Sequence, residues 1–164
     1  MINYIEKGPG LHVLIARSGY TLEQRNGVWV SNNDTAVQGI IDAYSLSTTQ
    51  DEIITLINAY AASLRDHAAI GVSPAEMASW SIKRTEAMAY QVSGNAADAP
   101  ILGIEATARG VTLSAIVARV LKNATSLAGL EATIAGVAGK HSDAVRATTT
   151  FAEALSYDWS DWTV

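Results

Sequence analysis

The stretch Thr112–Leu155, TLSAIVARVLKNATSLAGLEATIAGVAGKHSDAVRATTTFAEAL, decides how this chain is read. Leu113, Val120, Leu127, Ile134, His141, Thr148 and Leu155 recur every seven residues, and Ile116, Asn123, Leu130, Val137, Ala144 and Phe151 follow the first six by three. Three–four spacing keeps side chains on one seam of a helix, so a long helix that packs lengthwise on others is expected here. At 1.5 Å per residue it would run to roughly 65 Å. A chain of 164 residues cannot enclose such a rod in one globule, so other helices or another subunit must match it. Gly129, Gly136 and Gly139 lie inside the stretch. Each costs about 1 kcal/mol relative to alanine in a helix interior. They read either as points of close helix–helix approach or, near Gly136–Gly139, as a break that folds the stretch into a hairpin.

Upstream the helical pattern continues. Ile53, Ile54, Leu56, Ile57, Tyr60 and Leu64 form one broad apolar face on a helix starting at Thr49 or Gln50 and ending before Gly71. Ser73-Pro74-Ala75-Glu76 is a helix start, with Ser73 as cap and Pro74 in the first turn. That helix carries Met77, Trp80, Lys83, Arg84, Ala87 and Met88 to about Val92. Pro100 opens a short helix to Arg109, stopped by Gly110, and Thr112 caps the long one.

Residues 1–45 read differently. Ile2–Ile5 is a candidate strand, Leu11, Leu14 and Ile15 fall at helical spacing, and Asn26-Gly27 between β-prone runs predicts a tight hairpin. Asn33 or Asp34 caps a helix with Val37, Ile40, Ile41 and Tyr44 on its apolar face. Ser45–Thr49 is polar and linker-like. The expected fold is α+β, mainly α. A small β-α-β-β-α head (1–45) precedes an antiparallel helical bundle (50–164) with a long C-terminal helix and an aromatic tail.

Composition narrows the function. Charged residues make up 16% of the chain against 49% hydrophobic, and a surface so poor in charge favours association. A net charge of −5 argues against binding a phosphate backbone, so no nucleic acid is expected. No cysteine is present, and His12, His67 and His141 are too scattered for a ligand motif, so no metal or cofactor is expected. No apolar run is long enough for a membrane span, and no secretion signal shows. The search for catalytic residues returns none. Asp158 and Asp161 sit in an exposed tail with no third ligand, Asp51-Glu52 suits the first turn of a helix, and His141 on the seam reads as a core or interface histidine.

Tyr157, Trp159 and Trp162 crowd the last residues, and tryptophan is enriched at interaction hot spots. They read either as partner-binding anchors, together with Trp80 and Met77, or as a tail folded back onto the protein's own groove. The seam residues Leu113, Val120, Leu127, Ile134 and Phe151 are the second candidate surface.

Three blocks of sequence resemble a known family. INYIEKGPGLHVLIARSGYTLEQRNGVWVSNNDTAVQGIIDAY, Ile2–Tyr44, is similar to the N-terminal segment of small tail-associated proteins of tailed bacteriophages and prophages. Trp80–Arg84 through Ala99–Leu102 and Glu105–Gly110, and then Ile134–Ala144, resemble the helical C-terminal half of phage tail and tail-fibre-associated proteins. This chain lacks the long charged, proline-rich linker that many such proteins place between the halves. The resemblance implies a non-enzymatic virion protein of the tail tip, baseplate or tail-fibre region, or a fibre-assembly chaperone absent from the finished particle. Its partners would be other tail or fibre proteins, in a homo- or hetero-oligomer put together in the bacterial host cytoplasm.

Overall fold

The computed structural model describes residues 2–163. The fold is mainly helical, with seven α-helices and one two-stranded antiparallel sheet among the described residues. In chain order they are α1 (Pro9–Arg17), β1 (Glu23–Arg25), β2 (Val28–Val30), α2 (Asp34–Ala43), α3 (Leu46–Ala68), α4 (Pro74–Ser93), α5 (Pro100–Arg109), α6 (Leu113–Ala147) and α7 (Phe151–Ser156). The chain divides into two compact units. Unit 1 comprises the residues up to Ser63 together with Gly136–Thr163, and unit 2 is Leu64–Ala135. Two long helices, α3 and α6, contribute to both. This division does not follow the expected boundary at 45–50, because the C-terminal segment belongs to the same unit as the N-terminal head. No linker separates them either: α3 begins at Leu46, its first turn closed by the Ser45 hydroxyl, which accepts from the Thr48 N–H.

The head of unit 1 is α-β-β-α, one strand short of expectation. Ile2–Ile5 forms no ladder. Its polar backbone is served by a side chain instead: Asn3 N–H donates to Gln38 Oε1 at 2.8 Å. Ile2 is buried with Leu11, Ile15, Val37, Ile41 and Tyr44. The hairpin forms as the Asn-Gly signal requires. Glu23 pairs with Val30 and Arg25 with Val28, and Asn26 (φ 49°) and Gly27 (φ 79°) both take positive φ. Asn33 caps α2, its side chain accepting from Ala36 N–H.

Lys7 locks the head together and ties it to α7. Its buried ammonium donates to the Ile41 and Tyr44 carbonyls at 2.6 and 2.8 Å, at the C-terminal end of α2. It also lies 4.8 Å from the centre of the Phe151 ring. The Lys7 carbonyl accepts from Thr49 Oγ1 at 2.8 Å, tying the loop to the first turns of α3. Glu52 accepts from the Tyr44 hydroxyl; burial raises the pKa of that phenol, and the Glu52 carboxylate adds to the rise. The Glu52 carboxylate lies where a Cβ on Gly10 would stand, so any larger residue there must push Glu52 aside.

The long helix α6 is continuous through Gly129, Gly136 and Gly139, but it ends at Ala147. A Cβ at any of the three glycines would meet nothing within 4 Å, so they mark no close helix approach. The helix stops short of Leu155 because Thr150 starts a new one. Its hydroxyl accepts from Glu153 N–H, and the Glu153 carboxylate accepts from the Thr150 N–H in a full capping box. Phe151 and Leu155 therefore leave the α6 seam, and Phe151 packs on the head core.

Unit 2 is built from the end of α3, from α4 and α5, and from the first two-thirds of α6. Ser73 caps α4, and Glu86 on α4 accepts from the Ile101 and Leu102 N–H groups at the start of α5. The core is small, made of Ala87, Ala99, Leu102, Ala106, Ile116 and Val117.

Candidate functional site

Two surfaces bring the predicted residues together, one on each unit. On unit 1 the aromatic tail folds back onto its own chain. Ring centroids of Trp162 and Trp159 lie 5.1 and 6.2 Å from that of Tyr60 on α3, both edge-on. Trp162 Nε1 donates to the Trp159 carbonyl at 2.8 Å. His141 on α6 fastens the arrangement. Its Nδ1 is 2.9 Å from the Tyr157 hydroxyl, and its Nε2 is 3.2 Å from the Asp161 carbonyl. A carbonyl only accepts, so Nε2 carries the hydrogen, and in the neutral ring Nδ1 accepts from Tyr157. His141 is thus a core residue that positions the tail.

Trp159 and Trp162 remain half-buried, and Tyr60 and Leu56, one turn apart on α3, are 42% and 56% exposed. Asp158 and Asp161 flank the rings in solvent; Asp158 is held below the usual carboxylate range by its bond from Ser160, and Asp161 lies 3.8 Å from Lys140. The result is an aromatic face edged by carboxylates.

On unit 2, α4, α5 and α6 enclose a groove of about 660 Å³. Its apolar walls are Val72, Trp80, Ile116, Val120 and Leu127. Trp80 lines this groove, and Met77 on the same helix is exposed. Lys83, Arg84, Arg109 and Arg119 gather on the lining. Glu105 takes up two of them, 2.9 Å from Lys83 and 2.9 Å from Arg109. The Lys83 ammonium outweighs burial and holds the Glu105 carboxyl below the usual glutamate range, helped by Arg109 and Arg119. Glu131 is held bidentately by Arg65, at 2.8 and 2.7 Å. The Arg84 and Arg119 side chains make no ion pair or hydrogen bond among the described residues, and Glu76 is the one lining carboxylate in the same condition.

The seam is used in pieces. Ile116 and Ile134 are buried, Leu113 and Val120 half-buried, and Leu127 is 42% exposed at the groove. Sequence reasoning missed the Glu105 cluster. The spacing of Glu105 and Arg109 is a readable i, i+4 pair, but nothing local announces Lys83 as the third member. It also missed Tyr60 as the platform for the tail, because an α3 tyrosine reads as ordinary core.

No group of three or more His, Asp or Glu that would hold a metal ion occurs among the described residues. No single described helix is long and apolar enough to cross a membrane; α5 and α6 pass only as a pair, across a bend of 109°. No family model, curated protein or solved structure matches this chain.

Proposed function

We propose that this protein works by protein–protein assembly, as a structural component of a bacteriophage tail tip, baseplate or tail-fibre region, and not as an enzyme. The observation that carries the assembly reading is the uncovered apolar surface of unit 2. Val92 is 90% exposed, Ile104 72% and Ile70 71%, and Met77, Ile82, Met88, Ile101 and Leu127 are exposed with them. Scattered apolar residues are ordinary on a surface, but so many on one small unit that also carries an apolar groove favour an interaction site. The non-enzymatic reading is supported by the state of the charged groups in the groove, where Glu105 and Glu131 are engaged in ion pairs. The tail assignment rests on the resemblance of Ile2–Tyr44, Trp80–Gly110 and Ile134–Ala144 to tail-associated proteins. In this reading the protein is assembled in the host cytoplasm and its partners are other tail or fibre proteins.

The open groove also favours a second reading, a fibre-assembly chaperone that holds a client and releases it. Mass spectrometry of purified particles from a strain carrying the gene separates the two. A tail component is present at fixed copy number. Its absence from particles that need the gene to form means a chaperone, and particles that form normally without the gene overturn both.

A further inference from the structure

We propose that copies of this chain join head to tail, the acidic aromatic face of unit 1 on one copy seating in the basic-rimmed groove of unit 2 on the next. This rests on the assembly reading and names a second copy as the occupant.

Charge chooses the occupant. Unit 1 carries ten acidic residues against five basic, and unit 2 carries six of each, so the whole net charge of −5 lies on unit 1. Within unit 2 the groove lining holds four cations against three carboxylates; Arg84 and Arg119 make no direct ion pair among the described residues, Arg119 acting on Glu105 only at a distance, and Glu76 is the carboxylate likewise unpaired. Two aromatic faces would set the excess acid of unit 1 against itself, with Lys140 beside Asp161 as the cation on that face, whereas the groove offers Arg84 and Arg119 against a single unpaired carboxylate, Glu76. The acidic face is thus poorly matched to itself and matched in sign to the groove.

The apolar parts also correspond. The face offers Leu56 and Tyr60 on one stripe of α3, with the edges of Trp159 and Trp162 beside them. The groove offers Trp80, Val120 and Leu127 as walls. Large aromatic anchors entering an apolar pocket inside a ring of opposite charges is the usual anatomy of an interaction hot spot. Because the two surfaces differ, the contact is heterologous. It builds a ring if the rotation between neighbours closes and a filament if it does not.

The test uses the full chain in light scattering coupled to size exclusion, across a concentration series. Mass is expected to rise with concentration, and association to weaken at least about tenfold between about 0.05 M and about 0.5 M salt. The groove variant Arg84→Glu with Arg119→Glu, and the face variant Leu56→Lys with Asp161→Lys, are each expected to be monomeric. Mixed in equal amounts they should give a one-to-one dimer and nothing larger, since each carries one intact surface. Recovered pairing also proves both variants folded. A wild type that stays monomeric, variants that associate like wild type, or folded variants whose mixture stays monomeric each overturn the proposal. A monomeric protein found at fixed copy number in particles would sink this inference and leave the tail reading standing. An assembling protein missing from particles would do the reverse.

Discussion

Replacing Gly129, Gly136 and Gly139 by alanine tests whether α6 owes its length to close packing at those positions. An ideal Cβ on any of them meets nothing within 4 Å, and none has positive φ. The steric cost of the new methyl groups is therefore nil, and only helix propensity remains. Each exchange is worth about 1 kcal/mol in a helix interior, so the triple variant should gain about 2–3 kcal/mol. For a chain of this size that is a rise in Tm of about 5–10 °C. Urea titration and a thermal scan, both followed by far-UV circular dichroism, read the change. Gly10→Ala supplies the opposite sign in the same assay. Its Cβ would fall 1.7 Å from Glu52 Oε1, so Glu52 must leave the Tyr44 hydroxyl and stability should fall. A triple variant less stable than wild type would refute the reasoning, because something would then be pressing on the glycine positions of α6.

Four other substitutions probe separate links. Lys7→Met removes two charge-assisted bonds to buried carbonyls and should cost about 2–3 kcal/mol in urea unfolding; a neutral effect would mean the end of α2 needs no cap. Thr150→Val removes the hydroxyl that starts α7 and should cost about 1 kcal/mol on the same measurement, with the helix signal of α7 lost first. Trp162→Ala strips a half-buried ring from Tyr60 and His141 and should cost about 2 kcal/mol, roughly half the effect of removing a fully buried aromatic; unchanged stability would detach the tail from the core of unit 1. Glu105 is held below the ordinary glutamate range in the folded chain, so its contribution is present above the unfolded pKa and is lost as pH falls through the lowered folded one. Denaturation midpoints from about pH 6 to about pH 3 should fall less steeply for Glu105→Gln than for wild type.

Much of the fold is legible in the sequence because its signals are local. Asn26-Gly27 needs only positive φ at two residues, Ser73-Pro74 needs only one turn, and the seven-residue repeat reads directly as helix. The errors fall where a distant group overrides a local preference. Ile2–Ile5 looks like a strand, yet Gln38 satisfies Asn3 and the head core takes Ile2, so no partner strand is needed. Ser45–Thr49 is polar enough to look like a linker, yet Thr49 is buried against the Lys7 carbonyl, a contact 42 residues away in sequence. Periodicity alone carries the seam on to Leu155, because it ignores a capping box that begins at Thr150. At the candidate site, the aromatic residues are visible by type. Their settings are not, because Tyr60, His141 and the tail meet only in three dimensions.

The distribution of side-chain sizes carries the assembly reading further than any single residue does. In unit 1 the core takes isoleucine, leucine and tyrosine, and acidic residues dominate its charge. In unit 2 three of the six residues in the core cluster are alanines, while Ile70, Ile82, Met88, Val92 and Ile104 stand in solvent and are more exposed, at 51–90%, than most of the apolar residues unit 1 leaves outside. Burying alanine removes little apolar surface from water, and leaving isoleucine and valine outside forgoes about 1.5–3 kcal/mol for each. Leu102, Ile116 and Val117 complete that core, so unit 2 has a hydrophobic centre of its own and further apolar surface that a partner could cover. Covering that surface would add to the stability of unit 2, so association should raise its unfolding midpoint without being needed for it to fold.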